Sequence, residues 1–171
     1  TTLFRSMLMR IDNDLTPKVI QCDIQGHNGL AFSPDKRWMF TSDTPNGVIY
    51  RTPLDKQGEP GKREEFRRFS EGEGIPDGAA MDEEGCYWSA LFDGWRIARF
   101  SPQGVQLEEY RLPVRCPTMV CFGGDDMKTL FITTTRENME AEELAKYPLS
   151  GAIFTLPVNV AGMKKSRFIE H

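Results

Sequence analysis

Apolar and aromatic positions fall in short runs separated by polar turns, and no long amphipathic helix pattern interrupts them. Runs rich in β-branched and aromatic residues occur at 38–41, 48–51, 87–90, 96–100, 119–122, 130–133 and 152–156. Turn dipeptides stand between them: Pro34-Asp35, Asn46-Gly47, Asp93-Gly94 and Gln103-Gly104. Short strands at roughly 8–12-residue spacing with turn signals between them predict an all-β sandwich, barrel or propeller. One segment, 138–145, uses good helix formers and is stopped by Pro148, so it predicts a helix of a turn or two.

Internal repetition selects among these folds. Asn28-Gly29-Leu30-Ala31-Phe32 aligns with Asp77-Gly78-Ala79-Ala80-Met81 and with Thr118-Met119-Val120-Cys121-Phe122. Each block has a polar residue, a short apolar strand and then an acidic or glycine turn. An aromatic-rich second strand follows, then a third (48–51, 96–100, 152–154) and a fourth (65–69, 107–112, 166–169). The offsets between blocks are 49 and 41 residues. Four strands repeating every 40–50 residues is the pattern of propeller blades. The blades run 28–74, 75–116 and 117–171, and 1–27 supplies the last two strands of a preceding blade at 3–11 and 19–24. The fold expected is thus a single partial β-propeller domain of about three and a half blades, built from four-stranded antiparallel sheets.

Composition narrows the function. The 171 residues are 39% hydrophobic and 27% charged, enough for a packed core. A net charge of −4 with no basic block argues against nucleic acid as a partner. The apolar runs are too short to span a bilayer as a helix. Cys22, Cys86, Cys116 and Cys121 form no C-x-x-C pair, and reduced thiols fit a cytoplasmic setting.

The stretch from Asn28 to Asp35 (N-G-L-A-F-S-P-D), the run Ile75-Pro76-Asp77-Gly78, and the blocks Cys116-Pro117-Thr118, Cys121-Phe122-Gly123-Gly124 and Pro148 to Phe154 occur in the order of a known family. The chain resembles the SMP-30/gluconolactonase/regucalcin family of six-bladed β-propellers, over the C-terminal three-fifths or so of a full-length member. The resemblance implies hydrolysis of a sugar lactone assisted by one divalent cation (Ca, Mg, Mn or Zn) in the central channel. It also implies that Asn28 and Asp77 are metal ligands and that Asp77 is the catalytic base. A further glutamate ligand, and an arginine and an asparagine that hold substrate, belong to family segments without counterparts here. His27 stands where the family usually has serine.

The repeat register agrees with that geometry. Asn28, Asp77 and Thr118 occupy equivalent positions on three inner strands and are expected to converge at one channel mouth. The oxygen donors of Asn28 and Asp77 suit a hard cation. Thr118, Arg136 on the long connection 134–151, and His27 are the candidate substrate-binding or channel-lining residues. Open sheet edges lead us to expect a partner, either a complementary N-terminal propeller half or a second copy in a homodimer. The alternatives to a hydrolase are an inactive, truncated or split remnant acting as a binding module, and a propeller scaffold for protein partners.

Overall fold

The computed structural model describes residues 6–164. Four antiparallel sheets follow one another along the chain, each a meander in chain order. β1 (Ser6–Ile11) pairs with β2 (Pro17–Ile24). The second sheet holds β3 (His27–Phe32), β4 (Trp38–Asp43), β5 (Val48–Pro53) and β6 (Glu64–Arg68). The third holds β7 (Ile75–Met81), β8 (Tyr87–Phe92), β9 (Arg96–Phe100) and β10 (Gln106–Arg111). The fourth holds β11 (Pro117–Gly123), β12 (Thr129–Thr134) and β13 (Ile153–Pro157). The leading strands lie side by side, β3 against β7 and β7 against β11, as the inner strands of successive propeller blades do. The strand expected at 166–169 and the start of the one expected at 3–11 lie outside the described residues.

The third sheet is covered on both faces, which explains why every residue of β9 and nearly every residue of β8 is buried. Alternate side chains of β8 point to opposite faces. Tyr87 and Leu91 join Phe40, Ile49, Phe69 and Phe100 in one core, shared with the second sheet. Trp88 and Ala90 join Val120, Leu130 and Ile132 in the other, shared with the fourth sheet.

The acidic turns of the repeat are structural. Asp82, 0% exposed, accepts hydrogen bonds from the Glu84 and Cys86 N–H groups (3.0 and 2.8 Å), from Trp88 Nε1–H (2.9 Å) and from Arg99 Nε (2.9 Å). Asp35 closes the corresponding turn by accepting from the Ser33 hydroxyl and the Arg37 N–H, and Asp126 by accepting from the Lys128 N–H.

The one α-helix among the described residues, α1 (Ala141–Lys146), begins later than the sequence pattern suggests. Asn138 has a left-handed φ of 57°, which helix geometry excludes. No described helix is long and apolar enough to cross a membrane.

Candidate site at the mouth of the channel

Asn28 and Asp77 look like turn dipeptides with their following glycines, yet both lie inside strands, the second residue of β3 and the third of β7. The pairing register slips between Asn28 and Ala31, between Pro76 and Ala79, and between Pro117 and Met119. Each inner strand therefore carries a bulge at the site, the device by which a strand re-aims a side chain.

Glycine lets the inner strands come together. Gly29 has φ +55°, and a Cβ there would lie 2.3 Å from both Ser42 Oγ and Tyr87 Oη and 3.0 Å from the Asp77 carbonyl oxygen. The buried Tyr87 hydroxyl occupies that space and donates to the Gly29 carbonyl at 2.7 Å. A Cβ at Gly78 would lie 2.6 Å from the Thr118 carbonyl oxygen. With both positions bare, Asn28 Nδ2 reaches Asp77 Oδ1 at 2.5 Å. Thr44 Oγ1, in the 3-10 turn Thr44–Asn46, ties the two sheets at the same end by donating to the Pro76 carbonyl at 2.7 Å.

Asp77 is half-buried, and no basic side chain among the described residues pairs with it. Burial, with added repulsion from Glu137, pushes its carboxyl up to about 6. The carboxylate and the amide side by side offer oxygen donors of the type hard divalent cations take, and no group of three or more His, Cys, Asp or Glu side chains that could hold a metal occurs among the described residues.

The other candidates are distributed as follows. Thr118, half-buried on β11, shares a 2.8 Å hydrogen bond with the Thr133 hydroxyl. His27 points to the opposite side of β3 from Asn28: its Nδ1 lies 2.6 Å from Ser6 Oγ and its Nε2 3.3 Å from Gln21 Oε1. Burial, then the nearby Arg63, holds its imidazole below the ordinary histidine range. Arg136 is exposed on the connection between β12 and α1. That connection is pinned by Arg115, which binds Asp93 (2.6 Å), Glu143 (2.7 Å) and the Asn138 carbonyl (2.9 Å). Trp95 and Tyr147 meet edge to face beside it, with ring centroids 4.7 Å apart. Asp43, the last residue of β4 and not one of these candidates, is a turn acceptor for the Gly26 N–H and Asn46 Nδ2. A cavity of about 730 Å³ lined by Leu30, Phe32, Met81, Met119 and Phe122 lies toward the other end of the inner strands and is largely apolar.

Glu137 escaped the reading of the sequence. It lies on an irregular connection, so no period marks it, and its only signal is the neighbouring Arg136.

The sequence pattern of the SMP-30/gluconolactonase/LRE-like region matches residues 4–136. The chain belongs to this family. Among its relatives in the SMP-30/gluconolactonase family, 6-deoxy-6-sulfogluconolactonase from Pseudomonas putida is 54% identical over 94% of this chain and 56% of that protein. L-arabinolactonase from Azospirillum brasilense is 30% identical over 82% of this chain and 46% of its own length. The crystal structure of regucalcin from Agrobacterium tumefaciens, described as a calcium-binding protein, superimposes with a TM-score of 0.83 at 30% identity, covering 87% of this chain and 51% of that one. The chain spans about half the length of these relatives.

Proposed function

We propose that the chain carries the Asn28–Asp77 part of a cation-assisted site for hydrolysing sugar lactones. The observation that carries this reading is the contact between Asn28 and Asp77 on adjacent inner strands, with a carboxylate that has no basic partner among the described residues. The names of the relatives support lactone hydrolysis as the reaction class. The sulfonated gluconolactone named for the 54% identical relative is our first candidate substrate.

Asn28 and Asp77 are the residues that would hold the cation. When bound, it supplies a Lewis acid for the lactone carbonyl. Asp77, a carboxylate held by the β7 backbone, takes the proton from the attacking water. Asn28 fixes the carboxylate by donating to its Oδ1, and leaves the other carboxylate oxygen available. Thr118, beside Gly78, borders the space where the sugar ring would lie.

We keep a complementary N-terminal propeller half as the partner, ahead of a homodimer. Met7, Met9 and Ile11 on β1 and Phe131 and Ile153 on β12 and β13 are exposed, and blades on either side would cover them. A cytoplasmic setting is part of the same reading.

The test is hydrolysis of gluconolactone and its 6-sulfo derivative by the chain combined with an N-terminal propeller half, followed by pH-stat with Ca²⁺, Mg²⁺, Mn²⁺ or Zn²⁺ and again in chelator. Cation-dependent turnover that Asp77→Ala abolishes is expected. Turnover that survives Asp77→Ala at saturating cation would defeat the assignment of Asp77. Absence of turnover with every cation would favour the inactive-remnant alternative.

A further inference from the structure

We infer that Arg136 is the specificity residue of this site and receives an anionic group, a sulfonate in the first instance, at the end of the substrate remote from the lactone carbonyl. The inference rests on the lactonase reading above.

Placement comes first. Thr134 pairs with Pro117, and the Thr135 N–H donates to the Cys116 carbonyl at 3.1 Å, so the backbone carrying Arg136 leaves the sheet beside the start of β11. The next residue along β11 is Thr118, whose carbonyl lies against Gly78, the neighbour of Asp77. Glu137, adjacent to Arg136, contributes negative potential at Asp77. The backbone at Arg136 thus leaves its sheet at the same end as Asp77, one sheet further round.

Restraint comes second. The Glu137 N–H donates to Thr135 Oγ1 at 3.0 Å, and Arg115 holds the Asn138 carbonyl. Gly151 has φ +84°, and a Cβ there would sit 2.9 Å from Cγ of Arg136. The arginine stem therefore lies on bare backbone that a larger residue would take away. A side chain seated in this way loses less entropy on gripping a ligand than a free one does.

Charge comes third. Every other arginine among the described residues has a carboxylate within 4.0 Å. Arg136 has none, although Glu137 is its neighbour in the chain. Its planar fork of donors remains open to an oxyanion, and a sulfonate can accept two of those N–H groups at once. In a lactone carrying its anion on the terminal carbon, the reacting carbonyl and the charge lie at opposite ends.

Isothermal titration calorimetry on the full chain, with Ca²⁺ present, tests this using 6-deoxy-6-sulfogluconate and gluconate as probes. The sulfonated acid is expected to bind more tightly by on the order of tenfold, with the advantage shrinking as salt is raised. Arg136→Gln should bring the ratio of the two affinities close to one, and Arg136→Lys should restore part of it. Equal affinities in the unaltered chain, binding of neither acid, or a sulfonate preference that persists in Arg136→Gln would each overturn the inference. A preference that depends on Arg136 in a chain that hydrolyses neither lactone would leave the role of Arg136 standing and count against the lactonase reading alone.

Discussion

Asn28 donates its side-chain amide to the Asp77 carboxylate across 2.5 Å, although 49 residues separate the two in the chain. An amide and a carboxylate tolerate this closeness in the absence of metal; two carboxylates do not. Asn28→Asp is therefore expected to lower the thermal midpoint by several degrees in chelator. Added Ca²⁺ should raise the midpoint of the variant by more than that of the unaltered chain, because the cation then offsets two charges. Calorimetric scans with and without Ca²⁺ read both effects. An Asn28→Asp chain that is unmoved in chelator would mean the two side chains are not in contact in solution.

The second prediction separates backbone strain from steric contact. Gly29 and Gly72 both have positive φ, +55° and +83°, but nothing lies within 4 Å of a Cβ placed at Gly72. Gly72→Ala should cost about 1–2 kcal/mol from its conformation alone. Gly29→Ala should cost more, about 3 kcal/mol or above, since it also displaces the buried Tyr87 hydroxyl. Urea titrations of the two variants give the comparison, and equal losses would show that the close approach of β3 and β7 does not matter.

A third prediction concerns the Asp82 turn. Removing a fully buried carboxylate that neutralises Arg99 leaves the guanidinium without its most buried partner, so Asp82→Ala should cost about 3–5 kcal/mol. Glu84 also contacts Arg99, at 2.6 Å, but its side chain is 64% exposed. Glu84→Ala should change stability by less than about 1 kcal/mol. Denaturant midpoints measured side by side would test the ordering.

Acid should weaken the fold through Arg96. Its guanidinium bonds to Glu109 and holds that carboxyl below its ordinary value of 4.5. Glu73 is lowered as well, first by the Ser70 N–H and then by Arg67 and Arg96. Both groups bind protons more readily unfolded than folded. Their contribution is thus complete above the unfolded value of about 4.5 and is lost as pH falls below it. In Arg96→Met the fall in stability between about pH 5 and 3 should be shallower, as measured by urea midpoints across that range.

Much of the fold could be read from local chemistry. The turns at 33–36, 82–85 and 124–127 are set by residues that fold back on their own backbone, so the strand breaks were visible and the blade repeat followed from their spacing. The meeting of Asn28 with Asp77 was legible from that repeat together with the family resemblance. The work of the glycines was not. Asn-Gly and Asp-Gly carry turn chemistry in isolation, and only the neighbouring strand shows that Gly29 and Gly78 are there to admit Tyr87 and Thr118. Nor was the pinning of the connection after β12 visible: Arg115, Asp93 and Glu143 are drawn together by charge across three separate segments.

That pin has a consequence for anyone who wishes to exchange loops on this scaffold. Arg115 ties the Asp93 turn of one blade to the helical excursion of the next, and Trp95 seals the junction against Tyr147. The two segments are consequently a single cassette. Transplanting the 135–151 excursion from another sequence without its matching 93–95 turn would strand a guanidinium between mismatched neighbours, and grafts should move both together.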